Sequence, residues 1–173
     1  ADARELSALV NSCSRMDQPN LALGFCLGNK TCKEQAEKLY IKYKQHLVAA
    51  LKHIESMEDK IQGKKYAIIN AKDQVKDTII GTVTSMIANS PTYEQGTILI
   101  ALAYNEDKVK VSARIAGREG RNVREVLESV VVPLGGEVGG HPQAAGCLIS
   151  KEQENQFIQD LQKKLEIETI KVS

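Results

Sequence analysis

Aromatic residues are scarce in this chain, because tryptophan is absent and aromatic side chains make up only 4% of its 173 residues. Surfaces that hold single-stranded nucleic acid by base stacking depend on such side chains. Any binding of single-stranded nucleic acid would therefore depend on contacts to its phosphates more than on stacking of its bases. The net charge is only +1, so binding of an anion requires a local cluster of basic residues.

Residues that ligate metals are also few and scattered. The chain has three histidines without a His-His pair, and its four cysteines show no C-x-x-C spacing. Zinc-finger patterns are therefore excluded. Hydrolysis by two metals needs several carboxylates that converge on one point, and no cluster of aspartates follows a predicted strand. We expect no metal site, no catalytic residues and no independent catalytic activity in this chain.

Long apolar runs are missing as well. No stretch approaches the roughly 18 apolar residues that a membrane-spanning helix needs, and no signal-peptide pattern is present. We therefore expect a cytoplasmic protein with no membrane partner. The sequence begins without methionine and enters a helical pattern directly, which favours a fragment of a longer protein.

The apolar pattern predicts an α/β fold. Residues 1–61 are predicted to form a helical connector with one long helix, which Thr31 would cap and which carries apolar residues at steps of three and four. A coiled-coil dimer is the alternative use of that stripe. Residues 62–173 alternate strands and helices. They predict a mixed central sheet of about five strands flanked by helices, with a last strand at Ile167–Val172.

A basic strand and the loop after it form the first candidate site. Between Lys108 and Arg124 there are six basic residues and one acid. Positive charge beside a predicted helix N-terminus is typical of phosphate sites, and a solvated strand face with a surface loop is the alternative. Strand alternation puts Ser112 and Arg114 on one face. The charge of the loop adds two further candidates, Arg118 and Arg121.

The second candidate is the stretch from Gly139 to Gly146, which reads Gly-Gly-His-Pro-Gln-Ala-Ala-Gly. Such a run lets the backbone bend tightly or approach another group closely. Gly139 and Gly140 can present amide groups to an anion, and His141 can add a donor or a stacking face. A tight loop with an incidental histidine is the alternative. The stretch lacks the form of a nucleotide-binding P-loop.

This stretch resembles the G-G-H-x-x-A-A-G signature of the DHHA1 domain, the substrate-binding half of DHH-superfamily phosphoesterases and RecJ-like nucleases. Ser112-Ala113-Arg114 resembles the S-x-R element on a strand of that domain, which contacts the substrate phosphate or backbone. Asn11, Arg15 and residues 22–28 are similar to the segment that links the catalytic DHH domain to DHHA1 in archaeal RecJ-like nucleases.

The resemblance implies the substrate-binding domain of a metal-dependent exonuclease of DNA repair or replication. Its substrate would be single-stranded DNA or RNA, and its Mn or Mg ions would be held by a catalytic DHH domain outside this chain. The residues that would hold the phosphates and the terminal nucleotide are Ser112, Arg114, Gly139, Gly140 and His141. One alternative is an interaction module that docks a repair or replication factor of the Hef helicase or GINS type. Another is a DHH-family phosphoesterase that cleaves oligonucleotides or cyclic dinucleotides.

Overall fold

A computed structural model describes residues 2–170 of the chain, with side chains as far as Ile167. The chain divides into two compact units, one that ends at Lys52 and one that begins at His53. The predicted division into residues 1–61 and 62–173 stays a prediction. No helix within residues 2–170 is both long enough and apolar enough to cross a membrane.

The first unit is helical, as the sequence predicts. It contains α1 (Ala3–Arg15), α2 (Pro19–Cys26) and the larger part of α3 (Lys30–Ser56). The predicted cap of α3 at Thr31 is wrong, because the Oδ1 atom of Asn29 accepts a hydrogen bond from the backbone N–H of Cys32 at 3.1 Å. Asparagine ranks above threonine as an N-cap, and the earlier start lengthens the helix.

A mixed sheet of six strands forms the centre of the second unit, with flanking helices as predicted. Four of these strands were predicted; the prediction missed β1 (Ile61–Gly63), where the long helix was expected to end, and β5 (Val138–His141), in the glycine-rich stretch. The strands are β1 (Ile61–Gly63), β2 (Tyr66–Asn70), β3 (Ile98–Asn105), β4 (Lys108–Ile115), β5 (Val138–His141) and β6 (Ala144–Ser150). Their order is β1-β2-β3-β4-β6-β5.

Among the strands of the described residues, only β2 and β3 pair in parallel; the other four pairs of neighbouring strands are antiparallel. A parallel pair needs a crossover connection, and α4 (Asp77–Ala88) provides it. β3 and β4 form the predicted hairpin, since Asn105 pairs with Lys108 across the turn.

One face of the sheet, which we call the closed face, packs against α5 (Val123–Val131) and α6 (Glu154–Ile170). Strand alternation sends every second apolar side chain to this core. Asn122 caps α5 as predicted, because its side chain accepts hydrogen bonds from the N–H groups of Arg124 and Glu125. Ser150 and Gln153 form the predicted capping box ahead of α6.

The other face is only partly covered, because α4 packs against β3 and β4. Beyond α4, the strands β6 and β5 leave Gly139, His141 and Leu148 exposed on this face. We call this part, together with the adjoining edge of β4, the open half. It is the surface on which the two predicted motifs meet.

The predicted last strand is wrong for residues 167–170, which continue α6. The β-branched residues at the end of the chain favoured a strand. A helix that is already nucleated adds each further residue at little cost, however, and local hydrogen bonds therefore prevailed. Residues 171 and 172 lie outside the described part of the chain.

Candidate nucleic-acid interface

The strand register places Arg114 and His141 in one row across the open half. Arg114 on β4 pairs with Ala144 on β6, and Ala144 pairs with His141 on β5. Directly opposed residues of neighbouring strands have their side chains on the same face. Neighbouring strands lie about 4.8 Å apart, so the backbones of Arg114 and His141 are roughly 10 Å apart. The two motifs, which are separate in the sequence, thus converge.

A second row runs parallel to the first. Ser112 on β4 pairs with Gly146 on β6, and Gly146 pairs with Gly139 on β5. Gly146 and Gly139 therefore form a surface of bare backbone on the open half, next to the two polar residues of the first row. Ser112 itself is only 3% exposed, because α4 covers its hydroxyl at Gly81.

Arg114 is held in place by α4. Its Nε donates to the Oγ atom of Ser85 at 2.8 Å, and the Ser85 hydroxyl donates to the carbonyl of Gly81 at 2.9 Å. Its Nη1 donates to the carbonyl of Ala113 at 2.8 Å and to that of Ala145 at 3.3 Å. These contacts fix a partly exposed guanidinium at the border between α4 and the open half.

Gly81 and Ser85 are the residues that the sequence analysis missed. A Cβ atom at Gly81 would lie 3.3 Å from both Nη2 of Arg114 and Oγ of Ser112, so the glycine leaves room for both side chains. A glycine and a serine within an amphipathic helix carry no signal of this kind in one sequence. Their function emerges only when α4 packs on β4.

The three glycines of the motif differ in what surrounds them. A Cβ atom at Gly140 would lie 2.4 Å from the Ala144 carbonyl oxygen, and one at Gly146 would lie 2.8 Å from the Val111 carbonyl oxygen. A Cβ atom at Gly139 would meet nothing within 4 Å. Close approach of backbone therefore requires Gly140 and Gly146, whereas the space above Gly139 is open to a ligand.

The tip of the β5–β6 hairpin is tied to the rest of the unit. The backbone N–H of Ile115 donates to the carbonyl of Gln143 at 3.2 Å. The Gln143 side chain in turn donates to the carbonyl of Arg118 at 2.8 Å. Nη1 of Arg124 donates to the carbonyl of Gly140 at 3.3 Å. The predicted loop is thus an ordered hairpin whose tip is held against the end of β4.

The two arginines chosen for their charge lie in different surroundings. Arg118 is exposed and lies in the loop that contacts the hairpin tip, where its backbone carbonyl accepts the hydrogen bond from the Gln143 side chain. The Nη1 atom of Arg121 donates to the carbonyl of Leu165 at 3.5 Å, on the helix that covers the closed face. The structure therefore brings Arg118 close to the motif and directs Arg121 towards α6.

Within residues 2–170 no group of three or more His, Cys, Asp or Glu side chains is placed to hold a metal ion. The residues present thus do not fit a metal site, and we derive no step through a metal from them. Burial raises the pKa of the Cys147 thiol, which follows the glycine motif, to about 12. This cysteine is therefore not an activated nucleophile.

The chain is similar in sequence and in structure to several known proteins. Residues 63–166, more than half of the chain, match the family model of the DHHA1 domain. An uncharacterized protein of Methanocaldococcus jannaschii is 26% identical over 161 residues. RecJ from Thermus thermophilus in complex with Mg²⁺ is similar in structure, with a TM-score of 0.65 and 17% identity over 89% of this chain. The pGpG-specific phosphodiesterase PggH from Vibrio cholerae has a TM-score of 0.51 and 13% identity over 76% of this chain.

This chain spans only part of each of these proteins. It covers 34% of the M. jannaschii protein, 24% of the Thermus RecJ chain and 43% of the PggH chain. The structural likeness establishes the fold, and the family model establishes the domain type.

Proposed function

This chain belongs to the DHHA1 domain family, and from that premise we propose that it is the substrate-binding part of a RecJ-like exonuclease of DNA repair or replication. It would hold single-stranded DNA or RNA. The row that joins Arg114 to His141 across three strands carries the proposal, because it brings a cation and a ring within reach of one nucleotide.

In this proposal each part of the open half has its own task. The fixed guanidinium of Arg114 binds a phosphate through its positive charge. The open space above Gly139 lets the strand approach the backbone of β5. His141 contacts the terminal nucleotide, and exposed Arg118 adds positive charge at the same end of the sheet. Ser112 lies buried on the same strand, next to Gly81.

Hydrolysis in this proposal takes place elsewhere. The metal ions, Mn or Mg, would be held by a catalytic domain outside this chain and would activate the attacking water. The residues of this chain bind and orient the strand. This division of labour is supported by the small share of the relatives that the chain covers.

A binding experiment tests the proposal. We expect Arg114→Ala combined with His141→Ala to weaken binding of a fluorescent single-stranded oligonucleotide by about tenfold or more, because a charge-assisted phosphate contact is lost. The slope of log affinity against log salt should fall by about 1 for the lost phosphate contact. Fluorescence anisotropy over a series of salt concentrations measures both quantities.

Lys163→Ala is the matched control, since it removes one positive charge from an exposed position on α6. It should leave affinity nearly unchanged. Binding that is unchanged in the double variant, or that does not depend on salt, would contradict the proposal.

A second candidate function, docking of a repair or replication factor of the Hef or GINS type, is favoured by the surface of α3. Ile41 and Val48 are 55% and 51% exposed, one above the other on this helix. Lys44 and Lys52 flank them. An apolar stripe with basic margins is typical of surfaces that receive an amphipathic segment. The double variant of the open half should bind such a partner normally.

The third candidate, cleavage of oligonucleotides or cyclic dinucleotides, is supported by the similarity to PggH. The two nucleic-acid candidates differ in the number of nucleotides that the open half must accommodate. Substrate length therefore separates them.

A further inference from the structure

A third row lies next to the two rows of the family motifs, on the same face of the sheet. Lys110 on β4 pairs with Leu148 on β6. We propose that these two residues form a second nucleotide subsite, which makes the chain favour oligonucleotides over dinucleotides. This proposal rests on the proposed function, because it extends the site of Arg114 and His141.

The spacing of the rows fits a strand that runs along β4. Two residues of an antiparallel strand advance about 7 Å, so Lys110, Ser112 and Arg114 are evenly spaced along one face. A stacked nucleic-acid strand advances about 3.4 Å per nucleotide, and an unstacked strand advances further. The proposed nucleic-acid strand is extended along β4, with its bases unstacked. Each row therefore corresponds to about one nucleotide.

Lys110 has the properties of a phosphate ligand. Its side chain is partly exposed, and none of the ion pairs within the described residues includes it. No acidic residue is among the paired residues of the three rows; exposed Glu137 immediately precedes β5, at the end of the third row. An ammonium group binds phosphate as a point charge and tolerates several orientations of the anion.

Leu148 supplies the apolar half of the subsite. It is 54% exposed and stands next to a floor of glycine and alanine, namely Gly146 and Ala144 on the same strand. A single exposed leucine is common on protein surfaces. Here, however, it lies directly opposite Lys110, and the pair matches the charged and apolar parts of a nucleotide.

The fourth row lies beyond the proposed phosphate contacts. Lys108 pairs with Ser150, and its Nζ lies 3.9 Å from the Oδ2 atom of Asp107. A neighbouring carboxylate offsets its charge. We therefore place the last phosphate contact at Lys110, and Lys108 provides a control on the same strand and the same face.

The experiment compares affinity with length. The probes are 5′-phosphorylated oligothymidylates of two to six nucleotides, and the variant is Lys110→Met, which removes the charge and keeps the apolar stem. We expect the dinucleotide to bind wild type and variant equally. For longer probes the variant should lose about fivefold in affinity, and its salt slope should fall by about 1. Leu148→Ser should reduce the increase in affinity with probe length by about twofold, without a change in the slope of log affinity against log salt.

The controls make each outcome decisive. Lys108→Met should behave as wild type, and Lys110→Arg should restore the gain with length. Thermal unfolding should show that each variant retains the fold. Three outcomes would each overturn the proposal of a second subsite. Lys110→Met could lose the same affinity for probes of every length, Lys108→Met could lose as much affinity as Lys110→Met, or Lys110→Met could lose none.

Failure of the proposed function gives a different result. If Arg114→Ala with His141→Ala binds every probe normally, the open half is not the nucleic-acid site, whatever Lys110→Met does. If that double variant loses binding at all lengths while Lys110→Met matches wild type, only the second subsite is wrong.

Discussion

The two faces of the sheet are formed by the same strands but differ in what covers them. On the closed face, large side chains such as Leu127, Phe157 and Leu161 are fully buried beneath or within α5 and α6. On the open half, β6 and β5 present Ala144, Gly146 and other small residues to solvent. Along β6, alternation thus assigns burial to one face and access to the other.

The contrast is clearest on β4, which serves both faces. Val109, Val111 and Ala113 belong to the core of the closed face. The residues between and after them, Lys110 and Arg114, are partly exposed on the opposite face. A change on one side should therefore alter folding, and a change on the other should alter binding. Each prediction below tests that separation.

The largest effect is expected from the centre of the closed face. Phe157→Ala should lower the free energy of unfolding by about 3 to 5 kcal/mol, because it leaves a cavity at a fully buried position. Urea unfolding followed by circular dichroism measures this loss. Lys163→Ala on the exposed side of the same helix should change stability by less than about 0.5 kcal/mol. A loss of similar size in both variants would contradict the assignment of the core.

Two adjacent glycines give the next largest effect, and they separate folding from binding. Gly140 has a φ of +119°, and an added Cβ atom would lie 2.6 Å from the Cα atom of Ala145. Gly140→Ala should therefore destabilise the fold by roughly 1 to 3 kcal/mol. Gly139→Ala should leave stability within about 0.5 kcal/mol, because its Cβ atom enters open space.

Affinity should follow a different order in these variants. If the strand approaches the backbone at Gly139, the added methyl group should weaken oligonucleotide binding severalfold in a protein that is fully folded. Equilibrium unfolding and fluorescence anisotropy on the same preparations distinguish the two effects. Full affinity in Gly139→Ala would show that no ligand comes close to this part of β5.

Much of this division was predictable from the sequence. The alternation from Lys108 to Ile115 indicated the strand and its two faces, and Asn122 indicated the start of α5. Local signals of this kind act within a few residues, and a single sequence displays them directly. The same holds for the glycine motif, whose resemblance to the family signature agrees with the match to the DHHA1 model.

Features that depend on strand pairing were not predictable. Register decides that Arg114 faces His141 through Ala144, and it results from contacts between distant parts of the chain. The burial of Ser112 and the support of Arg114 by Ser85 have the same origin, because both require α4 to pack on β4. The helical conformation of residues 167–170 was missed for the opposite reason, since a continuing helix overrode the strand propensity of these residues.

The smallest effect is expected at the polar margin of the closed face. The Tyr104 hydroxyl donates to the Glu154 carboxylate, at 2.7 Å to Oε2. Desolvation, together with this hydrogen bond and the carboxylate charge, raises the pKa of Tyr104 from 10.0 to about 12. Because the pKa in the folded state is raised, the stabilisation is fully present below pH 10 and is lost as the pH rises through 12.

Tyr104→Phe removes the donor and should lower the free energy of unfolding by about 1 kcal/mol near pH 8. The difference from wild type should shrink between pH 10 and pH 12, since the ionised tyrosine can no longer donate to the carboxylate. Urea unfolding of both proteins across this range measures it, and a difference that stays constant would contradict the bond to Glu154. Oligonucleotide affinity at neutral pH should not change, because Tyr104 lies on the face that the proposed ligand does not contact.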